Sequence, residues 1–277
     1  MNILKKNTLR KPGRPSVCRL VAFLVLVILS ANLAAAQQGS LLYDNGGFVN
    51  RPGEGPGGAD LSLALPGWGV WGVPSVEYYN ARVADDFTIP AGDTWNISSA
   101  RFFLYICGTT DSPFTRMSLR IWDGTPADAG SHVIWGNTTT NVMIDTGFTG
   151  AYFSAADYPY SVYAVMWLDA NINITLQTGT YWLDWATSLS DYSYGDPEQG
   201  FIPADLATRV GDALWTPAPP NWGQITDGGR PLDYPFQIFE AVPEPTYCAL
   251  MLLGGCVIYI RRFLLATIFG KAFKREL

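Results

Sequence analysis

No stretch between residues 37 and 244 carries an apolar repeat near 3.6 residues over three turns. Short runs recur there instead, with apolar and polar positions alternating. Residues 97–107 contain Arg101-Phe-Phe-Leu-Tyr-Ile-Cys, and Met117, Leu119 and Ile121 alternate with Ser118, Arg120 and Trp122. Residues 161–168, 180–187 and 236–240 follow the same habit. Alternation enriched in β-branched and aromatic residues predicts strands. Asn45-Gly46, Asp123-Gly124 and Asp227-Gly228 punctuate them as turn signals. The expectation is an all-β fold, an antiparallel β-sandwich of jelly-roll type. A parallel α/β fold is disfavoured because its crossover helices are missing. Residues 50–74, rich in Gly and Pro, and residues 215–222, with Pro217, Pro219 and Pro220, read as long loops.

The charge is partitioned. The net value of −6 for 277 residues sums a basic head, a basic tail and an acidic middle. Residues 37–244 hold 7 Arg and no Lys against 23 Asp and Glu, a balance of −16. A domain of that sign does not bind nucleic acid through the phosphate backbone.

Each end carries an address. Residues 1–19 are basic, and 20–29 form an uncharged apolar run of signal-peptide length, too short to span a bilayer comfortably. Ala34 and Ala36 supply the small residues of a cleavage site that leaves Gln37 as the new N-terminus. At the other end, Val242-Pro243-Glu244-Pro245 is stiff and extended, since two prolines can continue neither a helix nor a central strand. An uncharged segment, 246–260, and Arg261-Arg262 come next, an order that fits a membrane helix with its basic flank inside. The expected domains are a signal peptide (1–36), a β-sandwich ectodomain (37–241), a sorting segment with a transmembrane helix (242–265) and a basic cytoplasmic tail (266–277).

Pro243-Glu244-Pro245, an apolar helix containing Gly254-Gly255, and Arg261-Arg262 together resemble the PEP-CTERM sorting signal of Gram-negative bacteria. The resemblance implies a membrane-embedded exosortase as processing partner, a transient inner-membrane anchor, and delivery to the cell surface or extracellular matrix. Residues 264–277 extend beyond the usual end of such signals. In the ectodomain, Tyr43-Asp44-Asn45-Gly46, Ala84-Asp85-Asp86-Phe87, Trp95-Asn96-Ile97, 119–123 and Gly179-Thr180-Tyr181-Trp182-Leu183 resemble uncharacterised secreted bacterial β-sandwich proteins. That likeness implies a fold and no activity.

Candidate chemistry is sparse. Cys107 is the ectodomain's one cysteine, read as a small buried apolar residue, and His132 is the one histidine in the chain. A Cys–His nucleophile and a zinc site are both improbable on those numbers, and no catalytic residue is assigned. Carboxylates suit a structural calcium ion, with Asp44, Asp85, Asp86 and Asp123 as the donors. Tryptophans expected in loops, Trp68, Trp71, Trp215 and Trp222, are the candidate glycan-binding residues, because indole faces stack on sugar rings. The competing explanation is that they pin loops onto the sandwich. The function expected is a non-enzymatic surface protein, structural or binding exopolysaccharide or other glycans. Its alternatives are a secreted carboxylate-dependent glycan hydrolase and an adhesin. Deleting residues 242–277 is expected to move the protein from the cell envelope to the soluble periplasmic fraction, read by fractionation and immunoblotting. An unchanged distribution would remove the sorting role.

Overall fold

The β4 strand (Arg82–Ile106) and the β8 strand (Val162–Leu189) set the architecture, because they pair antiparallel over nearly their whole lengths. In this computed structural model residues 39–64, 72–154, 162–203, 205–207, 211–227 and 229–241 are described. The leader with Ala34, Ala36 and Gln37, the loop holding Trp68 and Trp71, and the tail with Val242, Pro243, Glu244, Pro245, Arg261 and Arg262 lie outside them. So do both expected flanking helices.

A ribbon this long cannot stay flat and still bury one face. Two irregularities bend it. Between the pairs Ile89↔Gly179 and Thr94↔Gln177, residues 90–93 stand opposite Thr178 alone. The Thr178 hydroxyl donates to the Pro90 carbonyl and accepts from the Gly92 N–H, both at 2.9 Å. Gly92 takes φ +89, which a side chain would strain. A second register shift falls between Ile97 and Ser99. A one-residue slip exchanges the two faces of a strand. Val83, Phe87, Ile89 and Ile97 point inward before the shift, and Ala100, Phe102, Leu104 and Ile106 after it. β8 makes the complementary change, from Met166, Leu168 and Ala170 to Leu183, Trp185 and Leu189. Both halves of the ribbon therefore feed one core. Phe102 and Trp185, from opposite halves, meet with ring centroids 4.7 Å apart.

The remaining strands extend this ribbon. On one side lie β14 (Phe236–Glu240) and then β1 (Leu41–Asp44). On the other lie β5 (Phe114–Trp122) and β6 (Val133–Asn137). β7 (Met143–Ser154) pairs with β8, and β2 (Asp60–Leu63) runs parallel to β7. Short strands complete the set: β3 (Val73–Pro74), β9 (Glu198–Gln199), β10 (Leu214–Thr216) and β11 (Gly223–Gln224) in the main sheet, with β12 (Thr226–Asp227) and β13 (Arg230–Pro231) as a separate hairpin. Among the described residues strand makes up 58% with almost no helix, so the class there is all-β, built on one curled mixed sheet.

Several local expectations change. The strand ladder is antiparallel except at β2–β7. The segment 50–74 is not purely loop, since β2 and β3 lie within it, and Trp215 belongs to β10. Cys107 is exposed at the exit of β4 rather than buried.

Trp185 is fully buried among Phe102, Tyr234 and Phe236, and its indole N–H donates to Gln199 Oε1 at 3.1 Å. Trp185→Ala is expected to destabilise the fold by about 3–5 kcal/mol in urea denaturation. Ile144→Ala, at a 63% exposed site, should stay within about 0.5 kcal/mol.

Candidate functional site

Strand alternation sends the Asp85 carboxylate to the core side of β4, where an apolar residue would be expected. A buried carboxylate survives only if its oxygens are satisfied. Asp85 Oδ2 accepts from Asn45 Nδ2 at 2.9 Å and from the Tyr234 N–H at 2.7 Å, while Oδ1 accepts from the Asp86 N–H at 2.8 Å. Asn45 is held in turn: its Nδ2 also donates to the Tyr234 carbonyl at 2.8 Å, and its Oδ1 accepts from the Tyr43 hydroxyl at 2.9 Å. The Asn45-Gly46 turn signal thus marks a side chain that reaches into the body. Burial, then the nearby Asp85 charge, hold the Tyr234 phenol well above its usual range. It stays neutral and donates to the Leu214 carbonyl at 3.2 Å.

Asp85, Asp86 and Asp212 bring one carboxylate oxygen each within 4.8 Å of one another. Asp212 is half-buried, and its N–H donates to Oδ1 of the buried Asp233 at 3.0 Å. Hard oxygens in this number suit a divalent cation of the calcium type. Only two of the four expected donors are here. Asp44 instead accepts from the Gly46 N–H and Gln237, both at 3.0 Å, and Asp123 accepts from the His132 N–H at 2.6 Å. Asp212 was missed because it lies more than 120 residues from Asp85 with no local motif to mark it.

The carboxylates suit hydrolysis poorly. Asp85 and Asp86 are 0% and 7% exposed, so a polysaccharide cannot reach them. Glu77 Oε2 accepts from Arg116 Nε at 2.6 Å and Ser188 Oγ at 2.8 Å. Glu198 accepts from the Tyr105 hydroxyl, and Glu240 from Ser40 at 2.7 Å. Burial, then Glu198, push the Tyr105 phenol far above its ordinary value, so it remains a donor. Cys107 lies in the loop entering β5 and His132 in the loop leaving it, where His132 Nδ1 stands 3.7 Å from Asp123.

Of the four candidate tryptophans, two are described. Trp215 is half-buried against the core, and its indole N–H donates to the Pro74 carbonyl at 3.0 Å. Trp222 is half-buried with Trp122 over Ala84, Trp182 and Leu214. Trp122 donates to Asp184 at 3.0 Å and lies under the Arg120 guanidinium, 4.9 Å from its ring centre. Both described candidates thus also pin surface segments to the body. Among the described residues the large exposed aromatics are tyrosines: Tyr78, Tyr79 and Tyr192. A Tyr-Tyr doublet beside Glu77 was their only sequence signal.

No family model, no curated protein and no solved structure matches the chain.

Asp85→Ala removes the acceptor of three buried hydrogen bonds. It is expected to cost about 3–5 kcal/mol in chemical denaturation. Asp44→Ala, on an exposed acceptor, should cost under about 1 kcal/mol.

Proposed function

We propose that this chain is an exported, surface-sorted protein whose β-rich body, a sandwich of jelly-roll type, associates with extracellular glycan and carries out no covalent chemistry. The observation that carries the reading is the pairing of an export leader with the Pro243-Glu244-Pro245, apolar and Arg261-Arg262 tail. An exosortase is the processing partner, the inner membrane the transient anchor, and the cell surface or extracellular matrix the destination. The contact of Phe102 with Trp185 across the curl supports the sandwich form.

Charge narrows the partner. Five of the seven ectodomain arginines are engaged with carboxylates: Arg51 with Asp205, Arg82 and Arg120 with Asp184, Arg101 with Asp169 and Arg116 with Glu77. The acidic surplus repels polyanions and other copies of the domain. A hydroxyl-rich neutral polymer meets no such barrier. The buried position of Asp85 and Asp86 favours binding over hydrolysis. A calcium ion at Asp85, Asp86 and Asp212 would be structural, joining β4 to the segment before β10.

The full chain, held in a non-ionic detergent, is expected to be retarded in native gels cast with polysaccharide and to release no reducing sugar from the same polymers. Sustained release that Asp86→Asn abolishes in a still cooperatively folding variant would replace this reading with the hydrolase. Lack of retardation by any polysaccharide would remove the glycan role.

A further inference from the structure

Three tyrosine rings gather on one surface from two separate segments. Tyr78 and Tyr79 belong to the 3-10 turn Glu77–Tyr79, and Tyr192 to the turn Tyr192–Tyr194. They are 77%, 54% and 38% exposed. Tyr78 meets Tyr79 edge-on at 5.0 Å and 74°, and meets Tyr192 at 6.1 Å and 45°. Single exposed apolar side chains are ordinary, but three contiguous aromatic rings mark an interaction surface.

The rings sit on rigid supports. Val76 is fully buried and exchanges two backbone hydrogen bonds of 3.0 Å with Ala81, closing the first turn. Asn80, in the left-handed region at φ 58, donates its N–H to the Glu77 carbonyl. Ser75 fastens this segment to β8, its carbonyl accepting from the Thr187 N–H at 3.0 Å and hydroxyl at 2.7 Å. In the second turn the Asp191 carboxylate accepts from the Ser193 N–H at 2.9 Å and hydroxyl at 2.8 Å. Binding to rings already fixed costs little ordering entropy.

The polar surroundings choose the ligand. Asp191 adjoins Tyr192, and its two bonds from Ser193 keep its carboxyl below the usual range, so it is anionic at neutral pH. The cation at the other turn, Arg116, is held by Glu77 Oε2 and the Thr138 carbonyl. Glu77 Oε1 is buried with no hydrogen-bond partner among the described residues, so the acceptor open to a ligand is the exposed Asp191 carboxylate. Flat amphipathic rings, acceptors and a fixed negative charge suit neutral sugars, whose C–H faces stack on aromatic rings and whose hydroxyls donate. Uronates, sulfated chains and anionic lipids are repelled.

We infer that Tyr78, Tyr79 and Tyr192 form the stacking platform on which this protein holds a neutral polysaccharide, an inference that rests on the glycan reading above. The test uses the full chain in native gels cast with dextran, galactomannan or β-1,3-glucan, and with alginate as the anionic control. Retardation by at least one neutral polymer and none by alginate is expected. Tyr78→Ala and Tyr192→Ala should each weaken the neutral affinity about five- to tenfold, equivalent to about 1–1.4 kcal/mol. The melting temperature should be unchanged in Tyr78→Ala, whose ring is 77% exposed, and slightly lower in Tyr192→Ala, whose hydroxyl also accepts from the Leu189 N–H at 3.5 Å. Tyr78→Phe, which keeps the stacking face, should stay within about twofold. Retained affinity in the tyrosine variants, with loss in Trp222→Ala, would overturn this platform and leave the glycan reading standing. Binding of alginate in preference to neutral polymers would overturn the ligand class. A wild-type chain that binds no polymer would overturn both. Concentration-dependent self-association in sedimentation, abolished by Tyr78→Ala, would reassign the patch to a second copy.

Discussion

The buried ion pair of Arg82 and Asp184 is the constraint around which the centre of the sheet is arranged. Their side chains are 2% and 0% exposed. Burying two charges costs more than their attraction returns unless the remaining donors and acceptors are satisfied. Here they are. Arg82 donates to Asp184 Oδ1, to Ser118 Oγ at 2.9 Å and carbonyl at 3.3 Å, and to the Asp184 carbonyl at 3.0 Å. Asp184 Oδ2 accepts from Arg120 at 2.7 Å and from the Trp122 indole at 3.0 Å. One carboxylate thus ties β4, β8 and β5 together on the face opposite the main core. A register slip in any of the three would strand a charge in the interior, so the network specifies register as well as holding it. Burial lowers the Arg120 pKa, with Asp184 opposing that shift and Arg82 adding to it.

Arginine, rather than lysine, fits this role. Its planar fork reaches Ser118 and Asp184 at once, which a point charge cannot do. The same chemistry recurs at Arg101, which grips both oxygens of Asp169 at 2.7 and 2.8 Å while lying 4.6 Å over the Trp167 ring. A domain without lysine has spent most of its positive charge on fixing cross-strand geometry. What faces solvent is therefore acidic and aromatic, and that limits the partners available to it.

Strand existence was legible in the sequence because alternation is local. Phe236–Glu240 was read with its true bounds, and Met117–Trp122 falls inside β5. The fusion of neighbouring runs into β4 and β8 was not legible. The Pro90-Ala91-Gly92-Asp93-Thr94 run looks like a strand end, yet the chain continues past it through a bulge. Nor could alternation foresee a parallel β2–β7 pair, whose partners, such as Asp60 and Ala151, lie 91 residues apart. At the candidate sites the failure has a similar origin. Asp85 next to Asp86 was visible, but Asp212 arrives from a distant segment. Tryptophan drew attention in the loops, while the most exposed rings among the described residues are tyrosines brought together only by the fold.

The first and last described strands lie side by side. β1 and β14 are neighbours, and the Glu240 N–H donates to the Ser40 carbonyl at 2.8 Å. The Ala241 N–H donates to the Asn96 carbonyl at 2.8 Å, beside the bend in the ribbon. Ser40 and Ala241 therefore lie together at one edge of the body, near that bend. The tyrosines lie past the other end of this half of the ribbon, where Ser188 binds Glu77, ten residues along β8 from Thr178. At about 3.3 Å per residue this is roughly 33 Å of strand. Within the described body the tyrosine rings and Ala241 therefore lie toward opposite ends of this half of the ribbon.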